Sequence, residues 1–378
     1  MARGHAPGLT DSRRHAARRV WAYHRRVVTE AARPDEQRSH AGHDRDESGE
    51  APRPRRHWAA YIPLLFALGA IAALLVYADP HKIGIAFQRF NLIYIPLVVV
   101  LAVGFYAVQG VRWWTLNRAL GITFPLRDTV FLTETGQATA LLPLGELTRA
   151  LLVSKAAGVQ LGAVVASETV QELLFVFMLF ALALPKALGL HLIAIAVVVP
   201  MLFVVAIVAM LTVERLYARV RRIIGRVPVL RRIRPAIDVL QRDTRALFRH
   251  VDTYRYLPLS VAQAIMAVTL LWAVAQAVDP GRLSWTSAGF VYAVTQGAAW
   301  LSFSPGGLGA VEASTAGLLV LLGVSFDLAT AISVMQRLAD KGLNTVIGWI
   351  CYLFARRRYH LTGASLFRFE MPRAEETI

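Results

Sequence analysis

Ser304-Pro305-Gly306-Gly307-Leu308-Gly309-Ala310-Val311-Glu312 lies where the apolar run 285–303 gives way to the apolar run 306–323. A proline and three glycines break a helix here, and Glu312 adds a charge. Backbone this irregular is tolerated at membrane depth only where protein or a water-filled cavity satisfies its hydrogen bonds. The stretch therefore predicts helices that cross a membrane and a pocket at the break.

Composition agrees. Hydrophobic residues make up 56% of the chain, yet the formal net charge is +16. With a mean hydropathy of +0.47, this combination fits a polytopic membrane protein with basic cytosolic segments and excludes an ordinary soluble domain. The single cysteine, Cys351, rules out an internal disulfide and a multi-thiolate metal site. It reads as a packing residue near the end of the last helix.

Residues 1–57 are rich in Arg, His and acidic side chains, with too few large apolar groups to offset chain entropy. They read as a disordered basic cytosolic tail, in which 11–31 is a candidate lipid-surface helix. No signal peptide is legible. Asp44-Arg45-Asp46 resembles a sugar-transferase D-x-D, but no strand pattern surrounds it and it is assigned no catalytic role.

Apolar windows of the roughly 17 to 25 residues that cross ~30 Å of hydrocarbon recur at 58–78, 92–111, 163–184, 191–213, 257–278, 285–303, 306–323 and 329–354. The predicted fold is all-α, with about eight transmembrane helices. The apolar stretch 129–153 is interrupted by Glu134, Pro143, Gly145, Glu146 and Arg149, and reads as a re-entrant pair of half-helices. The membrane domain spans 58–356, and 357–378 is a cytosolic tail.

Charge sets the orientation, because Lys and Arg in short loops stay on the cytosolic side. The N-terminal tail, Arg112, Arg118 and Arg127, the basic loop 215–255 and Arg356-Arg357-Arg358 form the inner set. Both termini are thus predicted cytoplasmic, in a plasma-membrane protein. The loop's twelve arginines carry no pattern for nucleic-acid readout and suit anionic headgroups instead.

Sliding the chain by 165 residues sets Gly158-Val159 on Gly323-Val324 and Gln171-Glu172-Leu173 on Gln336-Arg337-Leu338, each copy preceded by a Pro/Gly/Glu break. This weak repeat has the form of an inverted-repeat transporter, whose site lies at the broken segments. Glu168 and Glu172 share one helix face. At helical spacing Arg337, Asp340, Lys341 and Asn344 share another. The two faces are predicted to meet, with Glu172 opposite Arg337. One reading is structural bracing. The other is a cavity in which Arg149, Arg337 and Lys341 take a lipid phosphate, Glu168 and Glu172 take cationic groups or protons, and the turn Gly306, Gly307, Gly309 with Glu312 offers N–H groups to the anion.

The stretches Thr139–Glu172 and Phe303–Gly348 resemble the two signature regions of the lysylphosphatidylglycerol synthase transmembrane family, also called the flippase-like domain. The first region matches at Pro143, Gly145-Glu146, Arg149, Glu168 and Glu172. The second matches at Pro305, Gly306, Gly307, Gly309, Glu312, Gly323-Val324 and Arg337. The first turn is shorter than the family's, and Thr169 and Phe303 stand where an Arg and a Pro are usual.

The resemblance implies a membrane domain that moves an anionic, aminoacylated or glycosylated lipid between leaflets. In the family's best-known architecture a soluble aminoacyl-transferase domain follows; here only a short tail follows Arg358, so transferase chemistry is expected to be absent. No nucleotide, zinc, nucleophile-elbow or dinucleotide motif is present, so no enzyme activity, cofactor or metal is expected. The expected partners are anionic membrane lipids and a lipid-synthesis enzyme, with no nucleic acid. Two alternatives stay open: a membrane-embedded transferase using Glu168 or Glu172 as base, and a non-transporting subunit that recruits a partner through 215–255.

Overall fold

The structure, a computed structural model, describes residues 84, 87–88, 90–139, 147–159, 161–190, 194–226, 228–302 and 307–359. The tail 1–57, the span 58–78, Pro143, Gly145, Glu146, Pro305 and Gly306 lie outside these residues. The described residues form helices joined by turns and short irregular connections, with no strand among them.

In chain order the helices are α1 (Ile95–Ala119), α2 (Leu126–Gly136), α3 (Leu147–Ala157), α4 (Leu161–Leu188) and α5 (Ile195–Thr212). Then come α6 (Glu214–Arg226), α7 (Pro228–Arg249), α8 (Val251–Arg255) and α9 (Leu257–Val278). The last group is α10 (Trp285–Ser302), α11 (Ala310–Leu321), α12 (Phe326–Arg337) and α13 (Leu343–Arg358). A π-helical turn, Leu338–Gly342, joins α12 to α13 without a break.

Four described runs are long and apolar enough to cross a membrane alone: Leu92–Ala119, Leu161–Leu188, Ile195–Thr212 and Val251–Val278. The outward surfaces of α5 and α13 are greasy. Phe203 on α5 and Leu353 on α13 are each 61% exposed, with Val199, Leu202, Val346 and Ile350 beside them. Exposed to water, such a surface would forfeit about 25 cal/mol per Å². Facing lipid it forfeits nothing. The interior is the reverse, holding Arg112, Glu134, Arg149, Glu168, Glu312, Asp340 and Asn344 among apolar side chains. Phe175, Phe180, Leu271, Phe290, Leu319 and Ile332 form the centre of the main core, built by α4, α9, α10, α11 and α12.

The described residues of 129–153 fall in two short helices, one on each side of the undescribed segment 140–146. α2 and α3 have 11 residues each, about 16 Å, well short of the ~30 Å hydrocarbon layer. The second break differs from the sequence reading. A full crossing over 306–323 is predicted, but α11 has 12 residues, about 18 Å. Glycines at both ends set this length: Gly309 (φ 78°) stands at its start and Gly323 (φ 89°) just past its end. The α10–α11 pair therefore corresponds to α2–α3.

Hydrogen bonds carry the repeat further than the residue matches do. Val159 N–H donates to the Ser154 carbonyl (3.1 Å) across Gly158, and Val324 N–H donates to the Leu319 carbonyl (3.0 Å) across Gly323. Both glycines have positive φ, 64° and 89°. This is the same left-handed helix stop in both copies, and the donors, the acceptors and the starts of α4 and α12 are all 165 residues apart. The copies are α1–α4 and α9–α13.

The segment 215–255 is helical rather than an open loop. α6 and α7 form an amphipathic hairpin, tied by Arg221–Asp238 (3.0 Å) and Arg245–Glu214 (3.0 Å). It is joined to α5 by the Gln241 amide, which donates to the Leu211 carbonyl at 3.0 Å.

Candidate functional site

Tyr106, Gln109 and Arg112 recur at one-turn spacing on α1, so the helix carries a polar stripe through an apolar run. Arg112 is predicted from its charge to lie in a cytosolic turn. It is instead 2% exposed: its guanidinium donates to the Gln263 side chain on α9 and to the Gln171 carbonyl on α4, the latter at 2.7 Å. Burial with two acceptors outweighs the loop preference of arginine.

A cavity of about 110 Å³ opens beside this stripe, between the copies. Arg149 from α3, Glu168 and Glu172 from α4, and Asp340 and Lys341 from the π turn supply its charges. Phe105, Tyr106, Phe175 and Tyr292 supply aromatic wall. Trp300, which is 43% exposed, stands at the rim.

The carboxylates one turn apart on α4 converge on Arg149. Glu168 accepts from its Nε (3.0 Å) and from its terminal nitrogen, and Glu172 stands 3.6 Å from that nitrogen. The guanidinium also lies 5.1 Å from the Trp113 ring centroid. Glu172 accepts from Gln109 at 2.8 Å and keeps 37% of its side chain exposed. Across the cavity, Lys341 donates to the Tyr106 hydroxyl (2.9 Å), which donates to Asp340 (3.3 Å).

Arg337 does not meet Glu172. It forms an ion pair with Glu312 at 3.1 Å. The cause is the π turn, whose wider winding breaks the regular spacing assumed for Arg337, Asp340, Lys341 and Asn344. Asp340 and Lys341 turn into the cavity, Arg337 turns toward α11, and the Asn344 amide donates to the carbonyls of Asp340 (2.6 Å) and Ala102 (3.3 Å).

Each copy thus has an ion pair between its short helix and the following long one, with the signs reversed: Arg149 with Glu168, and Glu312 with Arg337.

Gly307, Gly309 and Glu312 do not line the cavity. The Gly309 N–H donates to Glu312 at 2.6 Å, so the start of α11 is capped by its own side chain rather than presented to an anion. A Cβ on Gly307 would come within 2.8 Å of Val311 Cγ2 and 3.0 Å of Ala299 Cβ, so this glycine serves packing against α10. Tyr106, Gln109, Tyr292, Gln296 and Trp300 are absent from the sequence-based set. The signal for them was polar and aromatic residues one turn apart inside apolar runs. Among the described residues, no group of three or more His, Cys, Asp or Glu is placed to hold a metal ion.

Two helical copies thus enclose a charged cavity inside an otherwise apolar bundle. The chain belongs to the family described as the lysylphosphatidylglycerol synthase TM region, whose model matches residues 62–348. It is also similar to a UPF0104 membrane protein of Methanothermobacter thermautotrophicus. The identity is 26% over 315 residues, covering 75% of this chain and 90% of that protein.

Proposed function

We propose that this chain is a lipid transporter of the flippase or scramblase type, which moves an anionic, aminoacylated or glycosylated lipid between leaflets. The observation that supports it is the cavity, which sets Arg149 and Lys341 among Glu168, Glu172 and Asp340 between the two copies. Charges at this depth cost about 2.5–3.5 kcal/mol each or more unless paired or wet, and only part of this set is consumed by bracing. The cavity takes a small polar group with its waters, while acyl chains stay in lipid. Glu172 and Lys341 meet the incoming headgroup, and Arg149, held by Glu168, fixes the local field. The chain resides in the plasma membrane with both termini and the α6–α7 hairpin on the cytosolic side, where the arginines meet anionic headgroups. A lipid-synthesis enzyme supplies the cargo.

The test is translocation of fluorescent phosphatidylglycerol in vesicles containing the purified protein, read by quenching of the outer leaflet. The parent protein exceeds protein-free vesicles. Lys341→Met lowers the rate roughly ten- to a hundredfold, the equivalent of the ~1.5–3 kcal/mol of a hydrogen bond to a charged group. A parent rate equal to that of protein-free vesicles rejects the reading.

A further inference from the structure

Five acids are buried among the described residues, and four have partners. Asp128 pairs with Arg358, Glu168 with Arg149, Glu312 with Arg337, and Asp340 with the Tyr106 hydroxyl. Glu134 on α2 is the fifth. It is 7% exposed, and neither carboxylate oxygen has a hydrogen-bond partner. An ionised carboxylate in such a place is costly, and a neutral acid removes the cost by binding one proton.

The position of Glu134 connects it to the cavity and to both copies. Two and three residues further on, Gly136 and Gln137 line the cavity, and a Cβ on Gly136 would lie 2.8 Å from Arg149 Cβ. On the other side α13 packs backbone to backbone. A Cβ on Gly348 would lie 2.8 Å from the Glu134 carbonyl and 2.5 Å from the Ala138 nitrogen. That helix continues the π turn that presents Asp340 and Lys341.

Among the described residues, the groups around α2 supply Glu134 with no counter-charge. α1 sets Gly110 against Val130 and Thr133. α3 brings Arg149, whose guanidinium goes to Glu168 and Glu172 on α4. α13 contributes the Cys351 thiol within electrostatic range, the buried Tyr352 hydroxyl, and Arg358 held by Asp128 at the far end of α2.

We propose that Glu134 is a proton-binding site that couples proton movement to rearrangement of the two copies around the cavity. This rests on the transport reading above. Protonation forms one O–H bond on the carboxylate and removes one negative charge from the α2–α13 contact, which then closes. Release returns the proton to water and leaves a charge that the tight contact disfavours. A proton gradient thereby biases which arrangement of the copies is populated.

Two readings of the purified protein test this. The infrared spectrum, titrated with pH, contains a protonated-carboxyl band that Glu134→Gln removes. In vesicles with an imposed pH gradient, phosphatidylglycerol translocation responds to the gradient in the parent and not in Glu134→Gln. If the glutamine variant does not fold, Glu134→Met, which carries no polar side-chain group, serves in both comparisons. An infrared spectrum unchanged by the substitution overturns the proton site whatever the vesicles show. A band assigned to Glu134 together with a variant that keeps its gradient response overturns the coupling. Vesicles that translocate nothing, with the band present, overturn the transport reading and leave a proton site without that role.

Discussion

Arg149→Ala destabilises the bundle by about 3–5 kcal/mol, because it leaves Glu168 buried and charged at a site built around a guanidinium. The loss is read as lower folded yield and a lower unfolding temperature in detergent. Removing both charges with Arg149→Met and Glu168→Gln recovers most of that stability, since a buried pair replaced by neutral side chains of similar volume is often close to neutral. Transport does not recover in this double variant, because the cavity has lost the cation that faces Glu172 at 3.6 Å. Recovery of both folding and translocation would reduce the pair to bracing.

The second large effect separates two residues that the sequence pairs. Arg337→Ala leaves Glu312 buried and charged, and costs about 3–5 kcal/mol. Glu172→Ala removes a side chain that is 37% exposed, so its cost to stability stays below about 1 kcal/mol. It lowers translocation while the folded yield is kept. Exchanging the signs, Glu172→Arg with Arg337→Glu, does not rescue folding. It sets a cation beside Arg149 and a carboxylate beside Glu312. Thermal unfolding of the three variants checks this order. Rescue by the exchange would show that the two side chains do meet.

These contrasts mark how far the sequence was legible. The long helices followed from apolar windows, and the α2–α3 break from Glu134, Pro143, Gly145, Glu146 and Arg149. The repeat followed from Gly158-Val159 and Gly323-Val324, whose glycines both prove to be left-handed helix stops. The cavity charges Glu168, Glu172, Asp340 and Lys341 were named from their cost in an apolar run, and Arg149 as a charge that interrupts one. The partner of Arg337 was not legible, because nothing in Leu338-Ala339-Asp340-Lys341 signals a π turn and regular spacing was assumed across it. Arg112 was misplaced because a charge count cannot distinguish an arginine in a loop from one held by Gln263 and a backbone carbonyl. The length of α11 escaped because an apolar window does not reveal where glycines stop the helix.

The central claim is that an anionic headgroup crosses the membrane through this cavity. Cys351 is the single cysteine in the chain, so Gln296→Cys in a Cys351→Ser background places one reactive thiol on the cavity wall. Translocation of fluorescent phosphatidylglycerol is then measured in the same vesicles before and after a bulky thiol reagent. The account predicts a rate above protein-free vesicles before modification and a fall to the protein-free rate after it. A rate that the fully modified thiol leaves unchanged would contradict it.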